Sequence, residues 1–275
     1  MESQPDSSHY RCALITGASS GLGAEYARQL ASSCEVLILV ARREDLLKKL
    51  AEEILTASPT TKVHYLSVDL TQNQDRIELG KACEAMSLKP DLLVNNAGMG
   101  DYGDFTGAKW PKLDSMLQVN VTALTHLCHI FLPAMIADSE QGAGGSIINV
   151  SSLASTLPIP DFAVYAATKA YVSSFSEALR LELREFGIPV LAVCPGPVRT
   201  NFGKVALRDT EGETLPAREG FYVSAEKVVA DSIVALHADC ARVYPGWKVA
   251  LLAAGISLLP MMLVRPLVAS RRGKL

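Results

Sequence analysis

Six short apolar runs punctuate the first two thirds of the chain, and each is followed by a connecting segment, most of them with helical spacing. They are CALIT (12–16), VLILV (36–40), VHYLSV (63–68), DLLVNN (91–96), SIINV (146–150) and PVLAV (189–193). A run of this length that stays apolar without alternating belongs to a strand covered on both faces. Strands separated by helices pair in parallel, because each parallel connection needs a crossover. The pattern predicts an α/β fold with a doubly wound parallel sheet. No repeat or low-complexity linker divides the 275 residues, so one domain is expected. Its parts are a loose polar tail over 1–9, the α/β domain over 10–245, and an apolar and basic helical extension over 246–275.

In such a sheet, ligands gather at the carboxyl ends of the strands. Those ends read Thr16-Gly17, Ala41-Arg42, Asp69, Asn95-Asn96-Ala97-Gly98, Ser151-Ser152 and Pro195-Gly196. The first opens TGASSGLG (16–23), with glycines at Gly17, Gly21 and Gly23. Glycine lets backbone come close to a pyrophosphate, and the N-terminus of the next helix offers free N–H groups. Ser19 and Ser20 add hydroxyls. This context makes the sheet Rossmann-like. The same residues satisfy G-x-S-x-G, the nucleophile turn of serine hydrolases. That reading needs an acid and then a histidine, and His237, though late enough, lies near no recognisable strand-end loop. The cradle is the stronger reading.

The net charge of −3 argues against a nucleic-acid binder. Six scattered cysteines without a C-x-x-C read as reduced thiols in a reducing compartment, hence a cytoplasmic location. The first eleven residues lack the apolar core of a secretory signal. His126 and His129 stand one helical turn apart without a third ligand, so no metal is expected.

The stretch FAVYAATKAYVSSFSEALRLEL (162–183) predicts a long helix carrying Tyr165 and Lys169 four residues apart, on one face. A free tyrosine, with a pKa of about 10, is a poor base at neutral pH, and a nearby ammonium favours its phenolate. Lowering it by about 3 units takes roughly 4 kcal/mol of differential stabilisation.

TGxxxGxG (16–23), NNAG (95–98), an isolated Asn120, Ser152, Y-x-x-x-K (165–169) and Pro195-Gly196, in that order, resemble the short-chain dehydrogenase/reductase family. The resemblance spans roughly residues 11–245. It implies an oxidoreductase moving hydride between a nicotinamide cofactor and a ketone or secondary alcohol. Tyr165 takes the place of the general acid/base. Lys169 lowers its pKa and binds the nicotinamide ribose, and Ser152 polarises the carbonyl. Asn120 holds a water of the proton relay. The spacing of 13 residues to Tyr165 favours Ser152 over Ser151, which is expected to turn into the sheet.

Cofactor contacts are expected from Gly17, Ser19, Ser20, Gly21, Leu22 and Gly23, and from Asn96, Ala97 and Gly98. Tyr165, Lys169, Pro195, Gly196, Val198 and Thr200 complete the nicotinamide side, and Asp69 and Leu70 meet the adenine. Ala41 stands where NAD-specific relatives carry an acid, and Arg42 and Arg43 follow. Guanidinium groups suit a phosphate, so NADP(H) is the expected cofactor. A non-catalytic NADP(H)-binding protein is the alternative.

Segments 99–105, 153–162 and 197–223 are expected to line the substrate pocket with Tyr102, Phe105, Leu157, Ile159, Phe162, Phe202, Phe221 and Tyr222. A lipophilic small molecule fits such a lining, and a homodimer or homotetramer fits the family. Val249–Val264 is uncharged but too short to span a bilayer. It packs over the pocket or a subunit interface through Leu252, Ile256, Leu259 and Leu263, or lies peripherally on an anionic membrane.

Overall fold

The chain enters the sheet at its middle. In the computed structural model, which describes residues 10–208 and 219–260 with Met262 and Pro266, β1 (Tyr10–Thr16) pairs in parallel with two strands. On one side lies β2 (Cys34–Ala41), followed outward by β3 (Lys62–Ser67). On the other lie β4 (Leu92–Asn95), β5 (Ser146–Val150), β6 (Val190–Val193) and β7 (Arg242–Val243). The order β3-β2-β1-β4-β5-β6-β7 reverses direction between β1 and β4. A crevice opens at such a reversal, above the strand ends.

The lack of alternation in the strands has a direct cause. Ala13 and Ile15 of β1, with Leu37 and Leu39 of β2, face one helical layer. It is made by α1 (Gly21–Leu30), α2 (Glu44–Ala57) and α8 (Ala225–His237). Cys12, Leu14, Ile38 and Val40 face the other layer, of α3 (Asn73–Ala85), α5 (Leu124–Ser139) and α6 (Ala163–Glu182). Successive side chains point to opposite faces, so a sheet covered twice needs apolar residues at both parities. β3 is an edge strand, and Val63, His64, Tyr65 and Leu66 are only half-buried. Among the cysteines, Cys12, Cys34, Cys83, Cys128 and Cys194 are buried thiols.

Three features depart from the sequence reading. β7 is two residues long, too short for any pattern. Asn120, isolated in the sequence pattern, sits in a π-helical turn over Gln118–Ala123 between α4 (Trp110–Leu117) and α5. This run, Trp110–Ser139, has the length and composition of a membrane span, but Leu127, Cys128, Phe131 and Met135 are buried on the sheet side, and Met116 is buried beside Tyr165. The third departure is α9 (Trp247–Leu258), whose buried residues are Val249 and Ala253. Leu252 and Leu259, expected to pack, are exposed, and Leu263 lies outside the described residues. Gly246 turns the chain at φ +86° and sets the phase, so Val249 fills the space over Gly196. Residues 1–9 and 209–218 and the basic residues from Arg265 onward also lie outside the described residues.

Candidate active site

Thr16, the last residue of β1, fastens β4 to it. Its Oγ1 accepts from the backbone N–H groups of Asn96 and Ala97, each at 3.0 Å. Asn96 Nδ2 donates back to the Thr16 carbonyl at 2.9 Å. The chain then turns at Gly17 with φ +67°, a conformation side chains resist. Gly23, in the first turn of α1, presses on this turn. A Cβ there would stand 2.3 Å from the Gly17 carbonyl oxygen and 2.5 Å from Asn96 Nδ2.

Ser20 is the N-cap of α1, yet it makes no capping bond. Its hydroxyl and that of Ser19 accept from Arg43 Nη2 at 2.8 and 2.9 Å. The first turn of α1 therefore has no side-chain cap, and its N–H groups and dipole suit an anion. Leu22 packs inward from this turn. Thr200 closes the far side, its Cγ2 lying 3.3 Å from where a Gly21 Cβ would be. Val198 bridges to Val223, and Pro195 and Gly196 begin this segment directly after β6.

Of the two arginines, Arg43 reaches the loop, whereas at Arg42 the carbonyl accepts from Ser67 Oγ at 3.1 Å. Asp69 Oδ1 is engaged by the Thr71 backbone and hydroxyl. Leu70 is buried beside it, and its carbonyl accepts from Arg76.

On the other side of the crevice, Lys169 is 4% exposed, and its Nζ donates to the Val150 carbonyl at 2.8 Å. Burial lowers its pKa to about 8. A Cβ at Gly98 would lie 3.3 Å from both Lys169 Nζ and Asn120 Oδ1, so the NNAG turn abuts both residues. Asn120 Oδ1 accepts from the Met99 N–H, and Nδ2 donates to the Met99 carbonyl and to Thr168 Oγ1, all at 2.9–3.0 Å. Its side chain thus ties the loop after β4 to α6.

Ser151 and Ser152 point in different directions. Ser151 Oγ bonds the Lys169 carbonyl at 2.8 Å and Ser173 Oγ at 2.7 Å, inside the protein. Ser152 lies beside Tyr165, and its hydroxyl also caps the turn Leu153–Thr156 by accepting from Ala154 N–H. Burial pushes Tyr165 up to about 12, while the Ser152 hydroxyl pulls it down. The sequence expectation was a phenol acidified by Lys169. Here Lys169 Nζ is 5.8 Å from the ring centroid and turned to Val150, so desolvation wins.

The source of that burial is aromatic. Phe162 stacks on Tyr165 with centroids 4.3 Å apart, and Phe202 of α7 (Phe202–Ala206) stands at 5.5 Å. Tyr102 meets Phe162 edge-on at 5.7 Å, and Met99 and Ile159 pack on the same cluster. Leu157 is half-buried and outside this cluster, as is Phe221. Tyr222 lies under the Arg199 guanidinium at 5.3 Å. Phe105 is exposed and instead lines a cavity of about 360 Å³ with Leu113, Val164 and Arg208.

One group escaped the sequence reading. Asp101 is buried beside this cavity, bonded to Arg208 and, at 3.2 Å, to Lys112. Burial pushes its carboxyl up, but the two cations hold it below the usual range. Its only signal was an acid shortly after the NNAG turn, and its main partner, Arg208, is distant in sequence. The hydrolase reading fails on distance. His237 bonds Tyr10 at the start of β1, while Ser19 follows the strand's other end. Seven residues of strand hold them about 20 Å apart. His126 accepts from Arg76 Nε.

The sheet order and the uncapped glycine turn define a Rossmann-like α/β fold of the nucleotide-binding kind. Residues 11–211 match the family model for short chain dehydrogenases. Sulfoacetaldehyde reductase 2 of Chromohalobacter salexigens is 34% identical over 227 residues, covering 81% of this chain and 85% of that protein. The human very-long-chain 3-oxoacyl-CoA reductase is 32% identical over 226 residues, covering 79% and 68%. Among solved structures, a short-chain dehydrogenase from Sphingobium yanoikuyae in complex with NADPH superimposes with a TM-score of 0.76 at 30% identity, covering 90% and 92%. The bulky-bulky ketone specific alcohol dehydrogenase from Comamonas testosteroni gives 0.72 at 28%, covering 96% and 92%. The chain belongs to the short-chain dehydrogenase family, a class of oxidoreductases acting on carbonyl and alcohol groups.

Proposed function

We propose that this protein transfers hydride between NADP(H) and a lipophilic ketone or secondary alcohol. The reading is carried by one conjunction: Tyr165, Ser152 and Lys169 stand at the strand ends beside an uncapped glycine turn. A non-catalytic nucleotide-binding protein has no use for a buried phenol beside a hydroxyl and a buried amine.

The residues of the turn fit a dinucleotide. Gly17 and Gly23 let the turn close tightly against Asn96, and the start of α1 supplies N–H donors for the pyrophosphate. Arg43 with Ser19 and Ser20 forms the 2′-phosphate pocket, next to a strand end that carries Ala41 and no acid. The NADPH complex of the Sphingobium relative supports this choice.

When bound, the reduced nicotinamide supplies the hydride to the carbonyl carbon. Tyr165 gives its proton to the carbonyl oxygen, and its high pKa keeps that proton in place at neutral pH. Ser152 Oγ donates to the same oxygen as negative charge grows on it. Lys169, mostly charged at neutral pH, stabilises the phenolate that proton transfer creates. The aromatic group of Phe162, Phe202 and Tyr102 favours an apolar substrate. The long-chain and bulky-ketone relatives support the same class.

The test is NADPH consumption with a panel of ketones graded by size and polarity, set beside NADH. Turnover of apolar ketones with NADPH is expected. Tight NADPH binding with no turnover across the panel puts the non-catalytic reading in its place.

A further inference from the structure

Helix α9 is apolar on two opposite faces. Val249, Ala253 and Ile256 form the inner stripe; Val249 and Ala253 are fully buried, and Val249 sits on Gly196. Trp247, Leu251 and Leu258 follow at helical spacing on the reverse side and are 70%, 64% and 84% exposed. Leu252, Leu259 and Met262 extend this exposed surface. The inner stripe meets Gly196 and the turn Leu153–Thr156, and the opposite apolar face, left in water, marks a contact to something else.

Charge identifies the contact. From Cys240 to Leu275 there is no acidic residue, while Arg242, Lys248, Arg265, Arg271, Arg272 and Lys274 are basic. The chain as a whole carries −3, so positive charge is segregated into this stretch. A second copy of the chain is a poor occupant, because a two-fold contact around α9 brings two positive segments together. A surface that is apolar inside and negative at its rim satisfies both properties. Trp247, with Lys248 Nζ 5.6 Å from its ring, stands at the start of the helix, a pairing suited to the depth of lipid head groups.

We infer that the outer face of α9 docks this protein on an anionic lipid surface, with Lys248 and the basic residues from Arg265 onward engaging the head groups. α9 also packs against the turn Leu153–Thr156, which follows Ser152 directly. Docking therefore sets the mouth of the crevice at the lipid boundary, where an apolar substrate is concentrated. The docking itself does not depend on the reductase reading.

Flotation of the whole chain with vesicles of phosphatidylcholine, with and without phosphatidylserine, tests it. Co-flotation with the anionic vesicles only, weakened by salt, is expected. Leu251→Glu with Leu258→Glu alters only exposed positions and should cut the bound fraction at least tenfold, with thermal midpoint, NADPH affinity and sedimentation coefficient unchanged. Arg271→Glu with Arg272→Glu should weaken binding by at least about fivefold per position. Failure of the wild type to float with anionic vesicles overturns the inference. So does equal flotation with neutral ones. A double Leu variant that splits an oligomer makes this face a contact between copies and likewise overturns it.

Discussion

The two sides of the crevice are built from different material. On the β1–β2 side, backbone rests on backbone where Gly23 meets the Gly17 carbonyl, and the short Asn96 and Thr16 side chains lock the turn in place. On the β5–β6 side, aromatic rings of Phe162 and Phe202 cover Tyr165, and Lys169 and Asn120 are held by side-chain bonds. The first side tolerates almost no added atom, whereas the second is filled by side chains that a different residue can replace. A site that accepts one cofactor and a variable substrate needs this asymmetry. Rigid backbone fixes the common partner, and exchangeable rings fit the particular one.

The largest expected effect tests the point where the two sides meet. Tyr165→Phe keeps the ring that Phe162 stacks on and removes only the proton. Turnover should fall about 10²–10⁴-fold, with circular dichroism and NADPH affinity held. A variant that keeps a tenth of the rate places proton transfer elsewhere. On the cofactor side, Arg43→Ala should cost about 1.5–3 kcal/mol of NADPH binding, while NADH affinity stays level. Equal losses for the two cofactors in a titration make Arg43 a loop tie and not a phosphate ligand. Gly23→Ala should lower the unfolding free energy by about 1–3 kcal/mol and weaken both cofactors together. An unchanged midpoint and unchanged affinity break the claim that this side is tight.

Phe162→Ala sharpens the contrast from the substrate side. It should raise KM for bulky ketones severalfold, in keeping with a contact worth about 0.5–1.5 kcal/mol, and leave NADPH affinity alone. Burial is what lifts Tyr165 to about 12, so the variant should also ionise at lower pH, seen in the alkaline limb of alcohol oxidation. The smallest effect is in the pH profile of reduction. Lys169 is protonated below its pKa of about 8 and loses its charge above it. The rate constant for ketone reduction at saturating NADPH should therefore halve near pH 8 and keep falling. A profile flat to pH 9 assigns the stabilising charge to another group.

The six main strands were legible because a doubly covered sheet forces both parities to be apolar, as in Leu37 and Ile38. The positions of the glycines and of Tyr165 and Lys169 were legible for a similar reason: close backbone approach and a four-residue helical offset are local rules. Ser151 and Ser152 divide as their spacing to Tyr165 suggested, the first bonded to α6 and the second beside the phenol. What stayed hidden depends on partners far along the chain. Arg43, not Arg42, reaches the serines because of how β2 hands over to α2. Asp101 has its partner at Arg208, 107 residues away. The high pKa of Tyr165 follows from rings contributed by α7 and the start of α6, and no local pattern announces desolvation. The phase of α9 was misjudged because Leu252 and Leu259 obey helical spacing with Ile256 as well as Val249 and Ala253 do.

The fastening of Thr16 to Asn96 spans 80 residues and has a consequence for the order of events during synthesis. The glycine turn leaves the ribosome early, but β1 gains its β4 neighbour, and the turn its Asn96 support, only after Asn96 has followed. A nascent chain ending before β4 carries the motif without its geometry. Nucleotide capture by ribosome-bound chains of increasing length should begin only once β4 has cleared the exit tunnel. For this fold, cofactor affinity is a checkpoint on assembly and not a property of eight residues.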